Sequence, residues 1–146
     1  MIFTIPTSLW VTFLMLTSAQ QPPKVRLADA IADPSRYNHA VVEVAEEFQA
    51  PAESPWYLCA LGCAQSESMD DLVLFHVPES FSGERDLNRL KNAGRTAKHV
   101  RVGAVGQFEA CDNACWGFPA RFRFRLVVSK ILSVETSDKP FRRAKR

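Results

Sequence analysis

The chain has 146 residues, which is enough for one ordinary domain and too few for two. Its hydrophobic share of 47% provides the material for a packed core and excludes a chain that is mostly disordered. A formal net charge of +2 argues against a globally basic nucleic-acid binder, although local basic patches stay open.

The N-terminal residues 1–19 have the pattern of a secretory signal peptide. An apolar run over 9–16 is followed by small residues at 17–19, just before Gln20. The run is too short for an ordinary membrane span, and no Lys or Arg precedes it, so an uncleaved anchor or a misassigned start codon stays open. We expect an exported protein, periplasmic or secreted, with no transmembrane span once the signal is removed.

The next part of the chain predicts a helix and three strands. After a mobile lead over 20–24, Leu27 and Ile31 lie at helical spacing, and Pro34 ends that helix. Apolar patterns then predict three strands, over 40–48, 56–61 and 72–77, with polar or proline-containing loops between them.

A second helix and two further strands complete the predicted domain, which spans 20–135. Leu87 and Leu90 indicate a helix over 84–93, with Gly94 expected as its C-cap. Strand patterns resume over 98–110, where two glycines suggest a bulge, and over 120–135. Residues 136–146 are polar and end in basic side chains, so we expect a flexible basic tail.

The order of these elements is the layout of an all-β fold with one or two short helices. Five strands with a helix between the third and fourth predict an OB-fold-like Greek-key barrel. Residues 28–44, ADAIADPSRYNHAVVEV, and the last strand over 122–135 resemble the matching segments of small secreted bacterial OB-fold proteins. His39 and Ala45 stand where that family has Gly. The resemblance implies a fold but no activity, because most such relatives have no assigned function.

Cys59, Cys63, Cys111 and Cys115 form two matched pairs, which predict disulfides in an exported chain. In a barrel of strand order 1-2-3-5-4, the loops after strands two and four lie at the same end. We therefore favour two bridges between these loops over two local bridges, and each would stabilise by roughly 4 kcal/mol. The alternative is a four-thiolate zinc site, although C-x2-C is the more usual spacing.

The arginine row of the last strand, Arg121, Arg123 and Arg125, is the most specific polar feature of the sequence. Guanidinium groups in a row bind phosphate, acidic glycans or lipid headgroups. The alternative is cross-strand pairing with acidic neighbours such as Glu109 and Glu47.

Aromatic residues mark the predicted ligand face. Trp56, Tyr57 and Phe75 fall on strands two and three, where OB-folds stack bases or sugars on aromatic rings. The alternative places Trp56 and Phe75 in the core. Trp116 and Phe118, near the tip of the last hairpin, either form a contact patch or pack over the disulfides.

Catalytic patterns are weak. His39, His76 and His99 are not paired by spacing, and the sequence has no nucleophile elbow, phosphate-binding glycine loop or carboxylate dyad. We expect no enzyme, no cofactor and no resident metal. The expected function is an exported binding or structural module of unknown ligand, which uses the face of strands two and three and the loops after strands one and four. Polyanion or nucleic-acid binding through the arginine row and the basic tail is the alternative function, and a metal protein with four cysteine ligands is a further one.

Overall fold

The computed structural model describes residues 20–66 and 68–142; the predicted signal peptide and residues 143–146 of the predicted tail lie outside the described residues. The helices are α1 (Leu27–Ala32), α2 (Pro34–Tyr37) and α3 (Glu84–Thr96). The strands are β1 (Val41–Gln49), β2 (Tyr57–Cys59), β3 (Leu72–His76), β4 (His99–Ala110) and β5 (Phe124–Ser137). Two 3-10 turns, Cys63–Gln65 and Met69–Asp71, lie in the loop between β2 and β3.

The five strands form a closed barrel in the order β1-β2-β3-β5-β4. All neighbouring strands are antiparallel except β3 and β5, which are parallel. β3 and β4 are consecutive strands in the chain but are not neighbours in the sheet. The connection between them, which contains α3, therefore crosses one end of the barrel. The predicted OB-fold-like barrel and its strand order are therefore confirmed.

The barrel core follows the period-two pattern of the strands. On β5, Phe124, Leu126 and Val128 are buried, whereas the residues between them are more exposed. Phe108 of β4 stacks on Phe124 with ring centroids 5.8 Å apart, and Phe48 of β1 belongs to the same core. Alternation places successive side chains on opposite faces, so one strand closes the core and presents a polar outer surface.

The predicted bulge in the fourth strand is confirmed. The β4–β5 register shifts between Gly103 and Ala104 and again between Val105 and Gly106. A Cβ on Gly106 would lie 2.6 Å from the Val127 carbonyl oxygen, so only glycine permits the two backbones to approach here.

The predicted C-cap at Gly94 is wrong, because α3 continues through this residue to Thr96. The glycine serves packing instead. A Cβ at position 94 would lie 2.9 Å from the Ala50 Cβ and 3.3 Å from Phe48 Cε1. The absence of a side chain lets the last turn of α3 contact the end of β1.

The N-terminal lead, expected to be mobile, pairs with the edge of β1. The Glu43 amide donates to the Pro23 carbonyl, and the Val25 amide donates to the Glu43 carbonyl, both at 2.9 Å. Since β2 pairs only with the end of β1, this segment covers backbone groups that would otherwise be an open edge.

Two further boundaries differ from the prediction. Pro34 ends α1 as expected but also begins α2, because proline fits the first position of a helix. At the other end of the chain, β5 extends to Ser137, two residues into the predicted tail. His39 has a φ of 67°, so a residue other than glycine adopts the left-handed conformation in the turn before β1.

Candidate functional site

The three predicted aromatic residues separate into core and surface. Phe75 is buried in the barrel, and Trp56 packs edge-to-face on Phe48 with ring centroids 5.5 Å apart. Tyr57 alternates with the buried Leu58 and lies on the outer face of β2. Of these three rings, Tyr57 is therefore the one on the predicted ligand face.

The arginine row does not present three free guanidinium groups. Arg125 lies opposite Glu109 in the β4–β5 register and forms an ion pair with it, which confirms that predicted pair. Arg123 Nη1 lies 3.6 Å from an Asp70 carboxylate oxygen. Arg121 is exposed, and no other described residue forms an ion pair or hydrogen bond with its side chain.

The predicted pairing of an arginine with Glu47 is wrong. The Glu47 carboxylate accepts a hydrogen bond from the Cys63 backbone N–H, with Oε2 at 3.0 Å. The carboxylate therefore holds the first disulfide loop against β1.

The loop between β4 and β5 is anchored to the barrel at several points. The Cys111 amide donates to the Arg123 carbonyl at 2.7 Å, and Trp116 and Phe122 form an isolated antiparallel bridge. The Arg125 guanidinium lies over the Trp116 ring, 4.6 Å from its centroid. A positively charged group over an aromatic face is an attractive contact, so Trp116 is a structural anchor of this loop.

The same cluster covers part of the outer face. Phe122 is buried and packs against Tyr57 with ring centroids 6.0 Å apart, although it is not part of the barrel core. The residues after the β4–β5 disulfide thus fold back over β5 and reach the surface of β2. Part of the surface on which OB-folds bind ligands is occupied by the chain's own loop.

Phe118 lies at the tip of the anchored loop and is 82% exposed. Arg121 follows it, and the Arg123–Asp70 ion pair connects this loop to the turn that contains Met69, which is also exposed. We call Met69, Phe118, Arg121 and Arg123 the rim surface. It combines apolar and cationic groups on two loops at one end of the barrel.

The two disulfides are local, which corrects the predicted bridges between loops. Cys59 is bonded to Cys63, and Cys111 is bonded to Cys115, with Cα–Cα distances of 5.0 and 6.0 Å. The loops do share one end of the barrel. Through β1, Cys59 is level with Arg101, which is ten residues before Cys111. Through β3 and β5, the residue before Cys59 is level with the residue before Cys111, but three strand spacings away. Three strand spacings amount to about 14 Å, and two cysteines bridge only within about 7 Å.

The four-thiolate alternative needs reduced sulfur, and all four cysteines are disulfide-bonded. Residues 20–66 and 68–142 contain no group of three or more His, Cys, Asp or Glu side chains placed to hold a metal ion. The imidazoles of His39, His76 and His99 form no ion pair or hydrogen bond with another described residue.

Glu46 is a feature that the sequence reasoning missed. It lies on the core-facing side of β1, in phase with Val44 and Phe48, and accepts a hydrogen bond from the Leu27 N–H at 2.9 Å. Burial raises the pKa of Glu46 to about 7, against the lowering effects of that hydrogen bond and of the nearby Arg101. The sequence does contain a signal for this residue, because Glu46 is a charged side chain at a position of β1 where the alternation predicts an apolar one.

Over the described ranges, no helix is long and apolar enough to cross a membrane. No protein-family model matches the chain, and neither a curated protein nor a solved structure is similar enough to it to count as a match. The geometry of the described residues is therefore what points to a site.

Proposed function

We propose that this chain is an exported, non-enzymatic binding module of the OB-fold type, and that it contacts its partner through the rim surface. The signal-peptide pattern of residues 1–19 supplies the expectation of export. The disulfides support that expectation, because such bonds persist in oxidising compartments.

The observation that carries this proposal is the exposure of Phe118 on an anchored loop. Burying a phenylalanine side chain stabilises a protein by about 1.5–3 kcal/mol, so leaving it in water forgoes that gain. A disulfide, a backbone bridge and the Arg125–Trp116 contact hold the loop, and its tip nevertheless points outward. Aromatic and arginine side chains together are typical of energetically important interface residues.

The rim surface also favours a partner with acidic groups. Arg121 is unpaired among the described residues. Arg123 pairs with one exposed carboxylate, that of Asp70, and its guanidinium also lies over the Phe124 ring. Polyanion binding through the full arginine row is the less favoured function, because Arg125 is neutralised by Glu109. A protein surface with an apolar pocket and an acidic margin fits this arrangement best.

Site-specific photocrosslinking tests the proposal even when the partner is unidentified. The full chain is expressed in its own host with a benzoyl-phenylalanine at position 118, a change that preserves the aromatic ring. A matched probe at Lys91, exposed on α3 beyond the opposite end of β3, is the control. We expect one discrete protein adduct from position 118 and none from position 91.

Two further measurements separate the alternatives. Adducts from both positions alike, or from neither, would overturn the rim surface as the contact site. Tight binding to heparin or single-stranded DNA that weakens steeply with salt would instead support the polyanion function. The mass of the secreted protein tests export directly, because signal removal leaves Gln20 as the first residue.

A further inference from the structure

A groove opens beside the Cys59–Cys63 loop, between the start of α1, β1 and the end of β2. Its volume is about 510 Å³, which lies in the range of small-molecule sites. None of the rim-surface residues lines it. Its apolar walls consist of Ala28, Ala45, Ala60, Leu61 and Phe141.

Three guanidinium groups line this groove, those of Arg26, Arg101 and Arg142. Arg26 is already engaged in an ion pair on α1. Arg101 lies across the sheet from Glu47 and Glu135, yet no carboxylate of the described chain is within ion-pair distance of its guanidinium. Arg142 likewise forms no ion pair with a described residue. The groove therefore holds two positive charges without a partner at contact distance.

The two carboxylates of the groove are held by backbone amides. Glu47 accepts from the Cys63 N–H at 3.0 Å, and Glu46 accepts from the Leu27 N–H at 2.9 Å. With its pKa raised to about 7 by burial, the Glu46 side chain is about half protonated at neutral pH. A protonated carboxyl group is a hydrogen-bond donor and carries no charge that would repel an anion.

We propose that this groove binds a small organic anion, a carboxylate with an apolar body. Arg101 forms the charge-assisted hydrogen bonds to the carboxylate, and Arg142 adds a second positive charge. The protonated Glu46 side chain donates to the same anion. The alanine walls and Phe141 contact the apolar body of the ligand. The groove is separate from the rim surface, so a failure of this proposal would not count against the proposed function, and the reverse also holds.

Benzoate and benzyl alcohol are matched probes, since they share a ring and differ in charge. Titration of the oxidised protein, followed by NMR shifts, measures both affinities. We expect benzoate to bind at least tenfold more tightly than benzyl alcohol. R101M should weaken benzoate binding tenfold or more, because a charged hydrogen bond contributes at least 1.5 kcal/mol. R89M, at an exposed position of α3 that neither lines the groove nor belongs to the rim surface, should leave the affinity unchanged.

Protonation of Glu46 provides a second, independent readout. Benzoate stays ionised between about pH 6 and pH 8, so its affinity should fall across this range as Glu46 loses its proton. E46Q should abolish this pH dependence and keep the affinity near its acidic value. Arg26, Arg101 and Glu47 act electrostatically on Glu46, and Arg142 lines the same groove.

Several outcomes would overturn the proposal. One is that benzoate does not bind even at tens of millimolar. Another is that benzyl alcohol binds with the same affinity as benzoate. A third is that R101M is folded by circular dichroism and binds benzoate with wild-type affinity. If R101M fails to fold, R101K retains the charge and the strand, and it should keep a measurable part of the affinity. A loss of benzoate affinity in folded R89M as large as that in R101M would show a nonspecific charge effect and would count against the groove.

Discussion

The contact between α3 and β1 predicts that Gly94→Ala destabilises the protein. Elsewhere in a helix, the same substitution usually raises the free energy of unfolding. In a helix interior, replacing glycine by alanine gains about 1 kcal/mol. Here the new Cβ would lie 2.9 Å from the Ala50 Cβ and 3.3 Å from Phe48 Cε1, closer than the 3.5–4.0 Å of ordinary carbon contacts. Ala50 Cβ is fixed to the backbone and cannot rotate away. Overpacking of this kind costs about 1–3 kcal/mol, so we expect a net loss of about 1 kcal/mol.

Urea unfolding of the oxidised protein measures this effect, and a double-mutant cycle identifies its cause. In the A50G background the overlap with Ala50 disappears, so G94A should become neutral or stabilising there. N92A, at an exposed position of the same helix, should gain about 0.5 kcal/mol and reports the helix propensity alone. The packing argument is refuted if G94A stabilises the wild-type protein, or if its effect is equal in both backgrounds.

Four further predictions concern charge and the disulfides. Because the pKa of Glu46 is raised from 4.5 to about 7 in the folded state, the folded protein retains a proton that the unfolded chain releases, and stability falls as the pH rises across that interval. E46Q should therefore match wild type below about pH 4.5 and exceed it by up to about 3 kcal/mol above about pH 7, measured by urea unfolding at each pH. R125M should lower the free energy of unfolding by about 2 kcal/mol and should shift the tryptophan emission, because Arg125 pairs with Glu109 and lies over the Trp116 ring. R121M should leave the free energy of unfolding unchanged. Nonreducing tryptic digestion should yield peptides 37–85 and 102–121 as separate species, each lighter by two hydrogens; one cross-linked species would contradict the local pairing. Replacing either cysteine pair by serine should cost about 2 kcal/mol, since each loop is short.

The strands were the most predictable part of the molecule. Alternation at Phe122, Phe124 and Leu126 identifies a half-buried strand, because the period of two is set by local backbone geometry. Phe122 shows where this argument ends. It has the parity of Phe124, yet the chain bends before β5, and its ring packs on Tyr57 outside the barrel core.

The candidate site was less predictable, because its residues are sorted by contacts between distant segments. Tyr57 and Trp56 are neighbours in the chain, and one lies on the surface while the other packs on Phe48. Arg123 and Arg125 look equivalent in the sequence, but their acidic partners come from different loops and strands. The identity of such partners depends on register across the sheet, which a local pattern does not contain.

By itself, the amino-acid sequence determined the number and order of the strands, the helix between the third and fourth, and the location of both cysteine pairs at one end of the barrel. These follow from periodicity and from the handful of ways in which five strands close into a barrel. Only the tertiary structure decided that the disulfides are local, that Glu46 lies inside a charged groove, and that Phe118 is left in water. Each of these outcomes depends on distances of a few ångströms between segments far apart in the chain, and such distances are set by the packing of the whole barrel.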